Sequence, residues 1–220
     1  MKTTAFSTAL LAAALTAGCG SKTDPNEKNF GAALSQYLEK KGELCLGFSK
    51  WPIDVTETDL RLEKTMPSGT AGRMAALERA GLVSSAMTEI EEKSYITGTP
   101  MKFTVKRYTV TEAGKNYYRE WEVDSFRSDG VKKVKLGDLC YGRKALQKVV
   151  KWEGPMKLGD YQEAGVTYLY KIDGLSDWAK RPEIQATFPT IPRTLEGAGK
   201  TLQTHGVKLT SEGWEANGLN

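Results

Sequence analysis

Three cysteines, one histidine, one glycine-rich stretch and one acidic run are the residues of this 220-residue chain whose types could do chemistry. Cys45 and Cys140 sit in matching contexts, Glu43-Leu44-Cys45-Leu46-Gly47 and Asp138-Leu139-Cys140-Tyr141-Gly142. His205 has no second imidazole with which to hold a metal, and no serine in a nucleophile elbow to activate. A structural or solvent-facing ring is the expectation for it. A serine–histidine–carboxylate site built from distant residues stays open, and with it a hydrolase whose site is unrecognised. Glu196-Gly197-Ala198-Gly199-Lys200-Thr201 has some features of a phosphate loop. It carries Thr194 where the first glycine belongs, and the residues that follow read as extended rather than helical. Glu89, Glu91 and Glu92 lack the spacing of a calcium loop. The expectation is no catalytic constellation, no cofactor and no metal.

The N-terminus is more specific. Lys2 precedes an apolar run from Ala5 to Ala17, and a polar segment from Gly20 to Lys28 follows. A charged start, an apolar stretch too short to span a bilayer and small residues before a cut site describe a secretory signal peptide. Its end, Leu15-Thr16-Ala17-Gly18-Cys19, resembles the lipobox of bacterial lipoproteins. The resemblance implies cleavage before Cys19, with a diacylglycerol thioether and an amide-linked acyl chain of the palmitate kind on that residue. Two or more chains make anchoring stable where one is marginal. Gly20 rather than aspartate follows the cysteine, which by the same resemblance implies the outer membrane, facing the periplasm. A plain signal peptide cut after Ala17 or Gly18, and a cytosolic chain with a chance apolar start, are the alternatives.

Lipidation of Cys19 would leave an even pair of cysteines. In an oxidising compartment Cys45 and Cys140 then form a natural disulfide. The loop it closes is long, so the chain-entropy account assigns it about 4–5 kcal/mol. Two buried thiols that never meet are the alternative. The rest of the composition is that of a globular protein, 40% hydrophobic and 26% charged, with a net charge of +4. That excess is too small to argue for a nucleic-acid partner.

The elements that must position these residues read as α+β. Asp24-Pro25-Asn26-Glu27 starts a helix, with Asp24 as cap. Phe30, Ala33, Leu34, Tyr37 and Leu38 form its apolar face, and Gly42 stops it. Leu44, Leu46 and Phe48 alternate as a strand carrying Cys45. A second helix spans Thr70 to Ala80, capped by Ser68 or Thr70 and closed by Gly81. Extended segments follow from Val83 to Ile96 and from Met101 to Val110, with a change of parity that predicts a bulge near Lys106-Arg107. Val55 to Lys64 is polar with scattered apolar residues, Met66 to Gly69 and Pro189 to Gly199 read as loops, and Gly154-Pro155 reads as a turn. Val166 to Ile172 is apolar on both faces and reads as a central strand. Ser176 to Phe188 is helical with Pro182 opening its second turn, Leu202 to Leu209 is extended, and Thr210 to Trp214 is a helical turn.

Ala76-Leu77-Glu78-Arg79-Ala80-Gly81-Leu82-Val83 and Tyr108-Thr109-Val110-Thr111-Glu112-Ala113-Gly114-Lys115 resemble the end of the third helix and the strand after the wing of winged-helix domains. The resemblance covers roughly residues 70–120 and implies, as an alternative function, a DNA-binding regulator. The groove-facing helix would offer only Arg73 and Arg79, and the wing would carry three glutamates, a poor surface for phosphates. Nucleic acid is therefore an unfavoured partner.

The expected organisation is a signal peptide over 1–18, a tether over 19–28, an N-terminal α+β region with winged-helix-like features over 29–127, and a β-rich region over 128–220. Trp51, Trp121, Trp152, Trp178 and Trp214 fall at element ends, where aromatics serve either core or partner contact. An anchor, a disulfide and no catalytic constellation point to a non-catalytic envelope module that contacts another envelope protein or the cell wall.

Overall fold

Helix α1 (Glu27–Lys41) opens a computed structural model that describes residues 21–94, 97–127 and 130–219. Cys19 and the apolar run lie outside the described residues. The helix is capped by Asn26, whose side chain accepts from the Asn29 amide at 2.9 Å, and not by Asp24. The reason is local. The Asn29 side-chain amide donates to the carbonyls of Ser21 and Asp24, both at 2.8 Å, which folds the preceding residues back over the first turn. The apolar stripe Phe30, Ala33, Leu34 and Leu38 is buried, and the Gly42 amide closes the helix on the Leu38 carbonyl.

The first sheet unit follows. After β1 (Glu43–Cys45) come β2 (Ile53–Thr56), α2 (Glu57–Leu62), α3 (Thr70–Arg79), β3 (Val83–Lys93) and β4 (Pro100–Val110), with strand order β2-β4-β3. The polar segment from Val55 to Lys64, to which the sequence assigns no element, therefore holds the end of β2 and all of α2. Thr56 and Asp59 form a reciprocal capping box there, which compensates for a helix with no buried residue. Helix α3 begins at Gly69 without a side-chain cap, so neither Ser68 nor Thr70 serves. It ends as expected: Gly81 takes φ +80°, and the Leu82 amide returns to the Leu77 carbonyl at 3.0 Å.

No bulge interrupts β3 and β4, which pair in unbroken register from Val83↔Val110 to Lys93↔Pro100. The change of parity has another cause. The second half of β4 is central, with Tyr108 buried in the core on one face and Val105 buried on the other, between Thr56 and Thr88. On the Val105 face Arg107 grips Asp54 with two hydrogen bonds of 2.7 Å. Those bonds, aided by the guanidinium charge and opposed by desolvation, hold the Asp54 carboxyl below its ordinary 3.8. A lowered carboxylate adds stability above the ordinary value and loses it as pH falls through the lowered one. The difference in urea midpoint between wild type and Asp54→Asn is therefore expected to shrink from about pH 5 downward. An unchanged difference at acid pH would refute the pairing.

The remaining elements are α4 (Glu112–Lys115), β5 (Tyr118–Arg127), β6 (Gly130–Leu158), β7 (Tyr161–Asp173), a 3-10 turn at Asp177–Lys180, α5 (Pro182–Thr187), α6 (Thr190–Gly197), β8 (Gln203–Thr210) and β9 (Gly213–Ala216). Three expectations change here. Gly154-Pro155 is not a turn but an irregularity inside β6, across which pairing with β7 resumes at Met156↔Glu163. Residues 189–199 contain α6, because Pro192 falls in its first turn, where a missing amide costs nothing, and Ile191 anchors it in the core. Thr210 to Trp214 is the tight connection of the β8–β9 hairpin, with Gly213 at φ +115°. The fold is α+β with a β-rich C-terminal half.

Strand β6 is the spine. Its first part pairs with β5 alone, its middle with β1, and its last part with β7, in the order β1-β6-β7-β8-β9. Two hydrophobic clusters lie along it. One packs Met74, Leu77, Tyr108 and Val83 with Trp178, Ile184 and Ile191. The other packs α1 on β6–β9 through Phe30, Leu34, Val166, Tyr168 and Trp214. Each cluster draws on residues before and after position 127, so the chain's two halves interleave.

Candidate functional site

The element that stands apart is the ribbon of β5 and the first part of β6. Its register runs from Tyr118↔Leu139 to Arg127↔Gly130, and among the described residues no third strand is hydrogen-bonded to this part of the ladder. Side chains alternate between faces. One face carries Trp121, Val123, Val134 and Leu136, with Trp121 41% exposed. The other carries Glu120, Glu122 and Asp124 opposite Lys133 and Lys135, joined by a Lys135–Glu120 pair at 3.0 Å and a Lys133–Glu122 pair at 3.7 Å. Lys133 and Lys135 are thus neutralised across the strands. Phe126 and Val131 are exposed as register partners near the ribbon's end.

The base of the ribbon is held rigidly. Cys45 and Cys140 are register partners and form a disulfide at the point where β6 passes from β5 to β7. The Cys140 amide donates to the Tyr117 carbonyl at 2.9 Å, and the Trp51 indole donates to the Gly137 carbonyl at 3.1 Å. Gly137 must lack a side chain, because the Tyr118 ring lies where its Cβ would be. Asp138 is buried and accepts from the Gly47 amide at 2.7 Å and the Leu139 amide at 2.8 Å. Burial pushes its carboxyl above the usual 3.8, against the pull of the backbone amides and of Arg73. Arg73, from α3, donates to the Leu46 carbonyl at 2.5 Å and lies over the rings of Phe48 and Phe188, 4.1 and 4.9 Å from their centroids. Burial lowers its pKa while Asp138 works the other way.

Beside the disulfide is an open cleft of about 270 Å³, lined by Glu43, Tyr117, Arg119, Arg143 and Asp173 among others. The Glu43 carboxylate takes both arginines at 3.4 Å. Among the described residues Glu43, Cys45 and Cys140 bring three ligand-type atoms within 4.8 Å, but the disulfide occupies both sulfurs. A metal would need them as thiolates.

The other residues singled out in the sequence are dispersed. Trp178 is packed among Tyr117 and Tyr141, and Trp214 and Trp152 flank Phe30 on either side. Trp51 stacks edge-on with Phe48 and Tyr118 at the ribbon base. Only Trp121 and Trp152 among the five are more than a third exposed. The His205 ring lies 4.1 Å from the ring of Tyr37, and its Nε2 contacts the Asn217 carbonyl at 2.9 Å. The glycine-rich stretch closes α6 and turns its amides inward: Gly199 donates to Tyr170, and Lys200 and Thr201 to Gly197. It forms no anion cradle.

The ribbon escaped the sequence reading as a site. Its signal was present as period-two apolar pairs, Trp121/Val123 and Val134/Leu136, interleaved with acids on one strand and lysines on the other. No protein-family model, curated protein or solved structure matches this chain.

Proposed function

We propose that this chain is a bacterial lipoprotein, held by acyl chains on Cys19 to the outer membrane and facing the periplasm. It acts there as a non-catalytic binding or assembly module. The observation that carries the binding role is the β5–β6 ribbon. It offers an exposed Trp121 on an apolar face, two edges to which no further described strand pairs, and a base locked by the Cys45–Cys140 disulfide. Exposed edges with an apolar face are the surface on which another protein adds a strand. A second envelope protein is the partner this chemistry favours over cell-wall glycan.

The anchor is tested by the intact mass of the protein from its host: a chain starting at acylated Cys19 that gains two mass units on reduction. The ribbon is tested by a photo-crosslinking side chain at Val123 in living cells. A discrete protein adduct is expected there and not from the same probe at Glu196 on α6, and Trp121→Ala should reduce it at least fivefold. Equal crosslinking from both positions would overturn the role.

The winged-helix reading has one observation in its favour, the run β2-α2-α3-β3-β4 with sheet order β2-β4-β3. DNA binding does not follow from it. Six of the ten residues of α3 are buried, and Arg73 is turned onto a carbonyl of its own chain. No shift in mobility of duplex DNA is expected at physiological salt.

A further inference from the structure

The end of the β6–β7 hairpin is the second exposed apolar surface, and its position relative to the N-terminus gives it a meaning. Met156 is 75% exposed, Leu158 82% and Tyr161 47%. The register Met156↔Glu163 and Leu158↔Tyr161 puts all three on one face of the hairpin. Lys157, between the first two in sequence, points to the other face of the hairpin, where its long amine can reach the headgroups.

The first described residues lie at this same end. Glu163 pairs with Lys208 and Lys208 with Glu215, which makes one row across β7, β8 and β9. Leu158 and Tyr161 lie about two residues beyond that row. So do Thr210 and Gly213, in the same direction. The backbone of Lys22 packs against Gly213, and the Trp214 indole donates to the Thr23 carbonyl at 3.0 Å. Three strand intervals separate β6 from β9, roughly 14 Å. From Ser21, docked on the helix start, to Cys19 is two residues, at most about 7 Å of extended chain.

We infer that the β6–β7 tip, through Met156, Leu158 and Tyr161, inserts into the bilayer that receives the acyl chains of Cys19. This rests on the acylation proposed above. A leash this short holds the sheet end against the headgroups. Tyrosine and lysine suit that interface, and methionine and leucine the acyl boundary beneath it. The anchor supplies the effective concentration that a three-residue contact lacks by itself. The other two exposed apolar hairpins do not share this end. The β5–β6 ribbon leaves from the opposite end of β6, and Met101 and Phe103 belong to the β2-β4-β3 sheet. The ribbon therefore projects away from the membrane, where a soluble partner can reach it.

The test uses the acylated full chain in phosphatidylethanolamine–phosphatidylglycerol vesicles doped with a phospholipid bearing a diazirine on its acyl chain. Irradiation followed by peptide mass spectrometry should label residues 156–161 and leave Met101, Phe103, Phe126 and Val131 at background. Met156→Asp with Leu158→Asp, both at exposed positions, should cut that labelling at least fivefold with an unchanged circular-dichroism spectrum. Label on another hairpin, or none outside the Cys19 peptide, would overturn the inference. The intact mass reports acylation separately, so a missing anchor is distinguished from an idle tip.

Discussion

Replacing Cys45 and Cys140 together by alanine is expected to lower stability by about 4–5 kcal/mol, since the cross-link spans a sequence separation of 95. A domain of ordinary stability has about 5–15 kcal/mol in all, so the loss is a large share of it. For a chain of this size each kcal/mol moves the melting temperature by roughly 2–4 °C, and the variant should melt roughly 8–20 °C lower. Reduction of the wild type without unfolding should give the same shift, which separates the cross-link from any effect of the substitutions. The position of the bond adds a local consequence. It sits where β6 changes partners, and among the described residues the ribbon above it has no other sheet neighbour. Hydrogen exchange in β5 and in residues 130–139 should therefore accelerate more than exchange in β7 and β8. Uniform acceleration would mean that the disulfide stabilises the whole fold without fixing the ribbon.

What could be read from the residues divides by range. Helix α1 was legible because Phe30, Ala33, Leu34 and Leu38 repeat at helical spacing and are all buried. The disulfide was legible because acylation of Cys19, as proposed, would leave two cysteines in matching contexts. Helix α6 was hidden by Pro189, Pro192 and Gly197, each a breaker in a helix interior and harmless at these ends. Helix α2 was hidden because it buries nothing and leans on a capping box. The parity slip in β4 was real, but its cause was burial on both faces, which depends on a neighbour, β2, about 50 residues away. The ribbon failed to register as a site for the same reason. Alternation is local, whereas the absence of a third strand is a property of the whole sheet. The meeting of Lys22 and Thr23 with the β8–β9 hairpin, a sequence separation of 191, has no local signature at all.

Phe30→Ala is the substitution expected to cost most after the disulfide, about 3–5 kcal/mol. The side chain is fully buried, and its ring meets Trp214 at 4.8 Å and Trp152 at 5.5 Å, both edge-on. Phe30→Leu keeps most of the volume and loses the ring geometry, so about 1–2 kcal/mol is expected from it. A loss below 1 kcal/mol for alanine would mean that α1 does not rest on β6–β9. Phe30 and the Cys45–Cys140 bond belong to different parts of the molecule, since the ring packs in the α1 cluster and the bond joins β1 to the ribbon's base. Their effects should therefore add to within about 0.5 kcal/mol in the combined variant. The two losses differ in what they release. Without the disulfide the ribbon loosens while residues 21–26 stay docked. Without Phe30 the Trp214 indole that holds Thr23 loses its support, and the amides of that segment should exchange faster. On an acylated chain that slack lengthens the leash between Cys19 and the sheet, so lipid labelling at Leu158 should fall in Phe30→Ala and persist in the cysteine variant.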